Sequence, residues 1–280
     1  MAEQKSGDAV TCGGADIRIR NIRFDLSGAP RRWHAAGAGV TAFFDALSIC
    51  FPLGEQFFIR SVKRAQAALD DPALAVAVKG FAGQEAVHTR EHQAYNERLR
   101  AAGCEVDAME RELARTISWI EEKLGDDRAL GVTACVEHLT SVLSAQITHD
   151  DAYLAGADAA MRDLWVWHAM EEAEHGHVAF DVLAAKRPGY LFRVQMMLLS
   201  TRLFLDIVAR NVNLMARKER ERGMRRGLLA YLIISPGLAR RSLPAYFAWY
   251  RPGFHPSQSP ARARAARHRA RYDARAGLPV

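Results

Sequence analysis

The chain has 280 residues, of which 49% are hydrophobic, so it is long enough for one large domain with a substantial core. Its formal net charge is +6, but residues 261–280 hold six arginines and one aspartate and therefore carry +5 of that charge. Because the rest of the chain is nearly neutral, the composition gives no support to nucleic-acid binding by the folded part, although the basic tail suits contact with acidic surfaces.

The cysteines and the N-terminal segment indicate the compartment. Cys12, Cys50, Cys104 and Cys135 lie far apart and form no Cys-x-x-Cys pair, which argues against a zinc ribbon and against a disulfide scaffold. The polar segment 1–15 contains no apolar signal core. We therefore expect a cytoplasmic protein.

An N-terminal arm followed by helices is predicted. Residues 1–38 include an alternation of apolar and charged residues at 17–24 that is typical of a lone strand or an extended arm. From about Val40 to Leu69, apolar residues recur at three- and four-residue steps, which predicts a helix that Pro52 and Gly54 kink or locally widen. Further helices are predicted over Pro72–Ala102, Asp107–Leu124, Arg128–Leu154, Ala159–Ala185 and Tyr190–Lys218.

The C-terminal third is predicted to cover the other helices. Charged residues interrupt the apolar helix that begins at Tyr190, so it fails as a membrane span. This apolar helix is suited to closing a helical bundle, to forming a homodimer contact or to lying along a membrane surface. Residues 227–250 are predicted to form a covering segment, and the Arg- and Ala-rich end to be disordered or weakly helical. The predicted organisation is an arm at 1–38, a helical domain at 39–256 and a basic, disordered tail at 257–280.

The segment Trp167–Phe180 concentrates side chains that bind metals. On a helix that advances about 100° per residue, His168, Glu172 and His175 lie at roughly 0°, 40° and −20°. One narrow stripe therefore carries two imidazoles and a carboxylate, which predicts a ligand surface.

A second Glu-x-x-His pair lies at Glu85 and His88, and two other apolar helices each carry an acidic residue, Glu55 and Glu137. One carboxylate from each of two helices and a Glu-x-x-His pair from each of two others is the ferritin-like di-iron or di-manganese arrangement. Four glutamates balance the charge of two divalent ions in a dry core. Carboxylate and imidazole donors favour iron or manganese over calcium or structural zinc. The predicted fold is all-α, a ferritin-like four-helix bundle with additional C-terminal helices.

Neighbouring residues compete for these roles. Glu171 and Glu174 also lie at helical spacing from a histidine, but the symmetry with Glu85 favours Glu172. Glu85 and Glu172 are the predicted bridges between the metals, and His168 is predicted to supply a third imidazole. Simpler interpretations remain for the single acids, namely a surface position for Glu55 and a buried arginine partner for Glu137.

His92, one turn beyond His88, is predicted to be a catalytic residue that acts as a base or a hydrogen-bond partner beside the metals. Phe51 and Phe58 share a face with Glu55, and their interpretation as core residues is favoured over a substrate pocket. The remaining nearby histidines fall off the predicted stripes and are interpreted as structural or solvent-facing: His138, His149 and His177.

Over residues 20–256 the chain resembles the bacterial family of predicted metal-dependent hydrolases, a ferritin-like group. The resemblance lies in Pro30-Arg31-Arg32-Trp33-His34, Ala46-Leu47-Ser48, Phe51-Pro52-Leu53-Gly54-Glu55, Gln84-Glu85-Ala86-Val87-His88, His92, Tyr95-Asn96 and Arg251-Pro252-Gly253-Phe254-His255-Pro256. A more distant similarity is to di-iron arylamine N-oxygenases, which have an extra histidine four residues before the last Glu-x-x-His pair. That resemblance implies seven ligands: Glu55, Glu85, His88, Glu137, His168, Glu172 and His175.

The leading hypothesis is a di-iron oxidoreductase that activates dioxygen to oxidise a small organic substrate, with manganese or a mixed iron–manganese pair as alternatives. Electrons would come from a separate donor, because the sequence has no flavin or nicotinamide fingerprint. The alternative is a metal-dependent hydrolase in which two ions activate a bridging water. Iron storage or a scaffold role is disfavoured because nothing in the sequence indicates a large shell.

Overall fold

Helices account for all the regular structure in the described part of the chain. The structure is a computed structural model that describes residues 17–219 and 223–279, so Cys12 and the segment 1–15 lie outside it. No strand occurs in these two ranges, and the all-α prediction is confirmed for them. The α-helices are α1 Ala38–Gln66, α2 Pro72–Ala101, α3 Val106–Trp119, α4 Asp126–His149, α5 Ala159–His175, α6 Val178–Ala185, α7 Tyr190–Glu219, α8 Met224–Leu229, α9 Leu238–Ala248 and α10 Ala261–Arg275.

Four of the longer helices enclose the interior. Helix α1 packs against α2 and α4, and α5 packs against α4 and α2, so each of the four contacts two of the others. Phe44, Phe81 and Trp167 are fully buried between them. Burying each such side chain contributes on the order of 2 kcal/mol, which makes these inward faces the main stabilising surface.

Acidic residues fix where two of these helices begin. The Asp71 side chain accepts a hydrogen bond from the Leu74 backbone N–H at 3.0 Å, and Pro72 occupies the first helical position of α2. At α5, the Asp158 side chain accepts from two backbone N–H groups. These caps set the register of both helices and hence the direction of the side chains that they carry.

Helix α1 continues unbroken through Pro52, which has no N–H to offer the carbonyl of Ser48 one turn earlier. The side-chain amide of Asn96 on α2 donates to that carbonyl at 3.2 Å and replaces the missing helical bond. The proline therefore ties α1 to α2 at this level.

The predicted helix Ala159–Ala185 is interrupted, which corrects the sequence analysis. Helix α5 ends at His175, and α6 begins at Val178. A Cβ on the intervening Gly176 would lie 2.9 Å from the Ser141 Cβ, so glycine allows α4 to approach closely here.

The C-terminal segment, predicted to be disordered or weakly helical, contains helix α10 in the structure. Helix α10 lies against α4 and α5, and it buries Ala265, Tyr272 and Asp273. The hydroxyl of Tyr272 donates to the backbone carbonyl of Asp163 at 3.0 Å. Composition alone suggested solvation, but these side chains share one face of the helix, and that face packs on the core.

The N-terminal arm forms neither a helix nor a strand from residue 17 to residue 26. Its Arg20 is fully buried. Helix α7 covers α1 and α4. Among the described helices, only α1 is long and apolar enough to cross a membrane, and 67% of its most apolar window is buried inside the protein, as in the core helix of a soluble protein.

Candidate metal centre

The seven side chains predicted as ligands lie together in the interior, and none is more than 3% exposed. Their donor atoms form three overlapping groups, and within each group the atoms lie within 4.8 Å of one another. Glu85 and His88 each belong to two groups, so the donors form one continuous cluster. The groups are Glu55 with His88 and His168, Glu85 with Glu137 and His175, and Glu85 with His88 and Glu172.

This cluster contains buried polar atoms without a hydrogen-bond partner in the described part of the chain. Leaving a buried donor or acceptor unsatisfied costs on the order of 1–3 kcal/mol, and folded proteins rarely accumulate such atoms in one place. Carboxylate oxygens and imidazole nitrogens are donors that iron and manganese accept, so the cluster fits metal ions. The atoms are Glu55 Oε1, both carboxylate oxygens of Glu85, His88 Nδ1, Glu137 Oε2, His168 Nε2 and His175 Nε2.

His88 has one nitrogen bonded outward and the other facing the cluster. Its Nε2 lies 3.0 Å from Glu171 Oε2 and donates to that carboxylate. Its Nδ1 lies 3.7 Å from Glu85 and 3.8 Å from Glu172. A carboxylate behind a histidine fixes the ring and increases the basicity of the inner nitrogen, as is typical of histidine metal ligands.

His175 is held in the same manner by an amide. Its Nδ1–H donates to Gln84 Oε1 at 2.8 Å. The Gln84 amide nitrogen in turn donates to Glu174 at 3.0 Å, which fixes the orientation of that amide. The inner Nε2 of His175 lies 3.0 Å from Glu85 and 3.6 Å from Glu137.

His168 is held by a directed chain of hydrogen bonds. Ser48 donates its hydroxyl hydrogen to Asn96 Oδ1 at 2.9 Å, so its oxygen accepts from His92 Nδ1–H at 2.9 Å. The other nitrogen of His92 then carries no hydrogen and accepts from His168 Nδ1–H at 3.0 Å. The chain leaves a lone pair on His168 Nε2, which lies 3.3 Å from Glu172. His92 thus supports a ligand, and burial holds its pKa well below the ordinary value.

The carboxylates of the cluster divide into two kinds. Burial, and after it the charge of Glu85, raises the pKa of Glu55 and of Glu137 well above the ordinary value. Burial acts in the same direction on Glu85, but the adjacent His175 imidazole outweighs it and lowers the pKa of Glu85. Two of the acids therefore favour the protonated form without a cation, whereas Glu85 stays ionised.

Glu172 and two histidines complete this balance. Burial opposes ionisation of Glu172, but the adjacent imidazoles of His168 and His175 lower its pKa well below the ordinary value. Burial also opposes charge on His88, but Glu171 and Glu85 raise its pKa to about 10. The pKa of His175 is raised well above the ordinary value, because Glu85 outweighs burial. Two imidazolium ions thus compensate two carboxylates in the metal-free protein.

Behind the histidines lies a buried ionic network centred on Arg20. Its guanidinium donates to Glu171 at 3.0 Å, to Glu174 at 2.8 and 3.1 Å, and to Asp273 at 2.6 Å. Arg269 of α10 also donates to Glu174, at 2.8 Å. The arm and the C-terminal helix are therefore bonded to the residues that orient His88 and His175.

The competing candidates of the sequence analysis lie elsewhere. Glu171 faces outward to Arg20, and Glu174 has no contact with His177, whose nearest acid is Asp181 at 4.0 Å. The other histidines are placed as interpreted: His138 packs against Trp249 and Phe254, and His149 is exposed.

The residues that orient the predicted ligands were not recognised from the sequence. The stretches that carry the family resemblance include Ser48, Gln84 and Asn96. The resemblance did not indicate what these three residues do. No sequence pattern indicated a role for Arg20, because its hydrogen-bond partners lie far away along the chain. The missed residues are Arg20, Ser48, Gln84, Thr89, Asn96, Thr140, Glu171, Glu174 and Asp273.

The fold and the cluster define an all-helical protein with a buried set of donors that could bind a pair of metal ions. The model of the family described as predicted metal-dependent hydrolase matches residues 18–259. The chain belongs to this family. That description favours the hydrolytic alternative of the sequence analysis over the oxidative hypothesis. No significant match was found among curated proteins or among solved structures.

Proposed function

We propose that this protein is a two-metal oxidoreductase that activates dioxygen to oxidise a small organic substrate. The observation that carries the proposal is the set of buried, unpartnered donor atoms on α1, α2, α4 and α5, which belong to three overlapping groups of closely spaced ligand atoms. The donors are oxygen and nitrogen only, which suits a redox-active pair of iron ions, with manganese as the alternative.

The seven predicted ligands would hold the two ions in different ways. Glu55, His88 and His168 would hold one ion, and Glu137 and His175 the other. Glu85 and Glu172 lie between these groups and would bridge the two ions, as the sequence analysis proposed. A bound iron pair would supply the electrons that reduce dioxygen.

Two protein features would control the surroundings of such a pair. The carboxylate of Glu55 accepts a hydrogen bond from the Thr89 hydroxyl at 2.8 Å, and that of Glu172 accepts one from the Thr140 hydroxyl at 2.6 Å. These bonds restrain the position of both carboxylates. Burial of every ligand excludes bulk water. An external reductase would return the electrons, and we propose such a protein as a partner.

Rapid mixing with dioxygen tests this function. The protein is loaded with two ferrous ions per chain without oxygen and then mixed with oxygenated buffer. We expect a transient visible absorption, with dioxygen consumed in proportion to the iron. A cluster that consumes no dioxygen and shows no absorption change contradicts the proposal.

Hydrolysis is the second candidate, and the family description favours it. Two ions bridged by carboxylates can activate a water as a nucleophile. Activity that depends on zinc or manganese, with a redox-silent cluster, would select hydrolysis. The same ligands serve both reactions, so only a redox measurement separates them.

A further inference from the structure

An apolar cavity of about 90 Å³ lies between α1, α3, α4 and α7. Gly54, Thr116 and Ile207 in its wall are only half-buried, so it opens to the surface between α1, α3 and α7. Phe51 and Phe58 line it while also packing in the core, so the two interpretations of these residues were not exclusive. No carboxylate, ammonium or guanidinium group contributes to the wall.

A smaller cavity adjoins this one on the side of the metal centre. The two share Leu47, Phe51, Thr140 and Phe204 as lining residues, and the smaller one also reaches His168. Phe51 stacks on the His168 ring with the ring centroids 4.5 Å apart. The larger cavity is therefore separated from the proposed ligand His168 by side chains such as Phe51 that line both cavities.

Gly54 indicates that the larger cavity is kept open. A glycine inside a helix costs about 1 kcal/mol relative to alanine. Nothing in the packing requires glycine at this position, because a Cβ there would meet its nearest neighbour, Phe58 Cζ, at an ordinary 3.8 Å. A larger residue at position 54 would instead reduce the space in the cavity.

The polar side chains in the wall turn their hydroxyls away from the cavity, so its inner surface is almost entirely apolar. Ser200 is fully buried, and its Oγ bonds to no other oxygen or nitrogen in the described part of the chain. Its polar contact is with the Cys135 thiol, a weak hydrogen-bonding group. The threonine hydroxyls of the wall are engaged, Thr116 with Glu112 and Thr140 with Glu172.

We infer that this cavity is the substrate site and that it takes a small, uncharged and mainly apolar molecule. The inference rests on the proposed function, because it assigns the substrate of the same centre. An apolar cavity of about 150 Å³ is known to bind benzene, so a smaller cavity that opens to the surface suits a molecule of that class. A charged molecule would lose its hydration without finding a partner.

Calorimetric titration with phenol tests this inference, and benzoate serves as the charged counterpart with the same ring. Leu203→Trp fills the cavity from α7. Leu205→Trp is the matched control, because Leu205 is 59% exposed on the same helix and does not line the cavity. We expect benzoate to bind at least about tenfold more weakly than phenol. Leu203→Trp should weaken phenol binding by about tenfold or more, and Leu205→Trp should leave it unchanged.

Toluene adds a test of the apolar wall. It has the same ring without a hydroxyl and should bind at least as tightly as phenol, because the wall offers a hydroxyl no free partner. Equal binding of phenol and benzoate, or equal effects of the two tryptophan variants, overturns the inference. Elemental analysis of the same samples keeps the proposed function separate, because a wild-type protein with fewer than two metal ions per chain refutes that function whatever the titrations show.

Discussion

Each histidine of the cluster has one ring nitrogen bonded to a different kind of acceptor, which leaves the other nitrogen free. His88 donates to a carboxylate, His175 to an amide and His168 to a second imidazole. The three imidazoles thus differ in basicity. The inner nitrogen is Nδ1 in His88 and Nε2 in His175, so the two Glu-x-x-His pairs are not equivalent.

Substitution of His92 tests whether the hydrogen bonds behind the cluster histidines contribute to metal affinity. His92→Leu removes the acceptor that orients His168, and we expect metal affinity to fall by about 10–100-fold. His92→Gln offers a carbonyl oxygen to the same N–H and should restore part of the affinity. The measurement is competitive titration against a chelator. His138→Gln, in a buried histidine away from the cluster, should leave the affinity unchanged, and equal losses in His138 and His92 variants would contradict the assigned role.

Metal loading should release protons, because the pKa of four groups is raised in the metal-free protein. His88, with its pKa at about 10, and His175 are protonated at neutral pH, and Glu55 and Glu137 favour the neutral form. Metal binding requires all four to lose their protons, so affinity should rise with pH. Addition of manganese to metal-free protein at pH 7 should release at least about one proton per chain, from His88, and at most about four, measured by pH-stat titration. Release of none would contradict this charge balance.

At the scale of the elements, apolar periodicity predicted the four helices that carry the predicted ligands, and side-chain caps support it at α2 and α5. Asp71 and Pro72 marked the start of α2 to the residue. The break after His175 was not predictable, because the apolar pattern continues through it and the need for Gly176 arises from contact with α4. The choice of Glu172 over Glu171 followed from spacing, but the outward bond of Glu171 depends on the distant Arg20.

The structures of the arm and of α10 were predicted least accurately from the sequence. Arg20 on the arm bonds to Asp273 on α10 and so connects the two elements. Arg20→Ala would leave Glu171, Glu174 and Asp273 buried around a missing cation. We expect the free energy of unfolding to fall by about 3–5 kcal/mol, measured by urea denaturation.

Arg202→Ala is the matched control for Arg20→Ala. Arg202 pairs with Asp206 on the surface of α7, with 76% of its side chain exposed. Its loss should change stability by less than about 1 kcal/mol. Similar losses in both variants would show that the buried network has no special role.

At the scale of the whole molecule, charge explains why the interior tolerates so many acids. The cluster compensates two ionised glutamates with two imidazolium ions, and the network behind it compensates three carboxylates with Arg20, Arg269 and Arg18, which donates to Asp273 at 3.0 Å. The sequence predicted the first set, since its members lie at helical spacing. It could not predict the second, because α10 and the arm meet only in the folded chain.

The family match ends at residue 259, before α10 begins at Ala261. Helix α10 nevertheless supplies Arg269 and Asp273 to the network behind the histidines. This chain thus completes the support of its candidate centre with an element outside the matched region.

Elemental analysis after reconstitution with ferrous iron tests the central claim most directly, with Glu137→Ala beside the wild type. Glu122→Ala, in an exposed acid, is the control. The account predicts two ions per chain in the wild type and in Glu122→Ala, and fewer than two in Glu137→Ala, because Glu137 belongs to only one of the three donor groups. Two ions in Glu137→Ala, or fewer than two in the wild type, would contradict it.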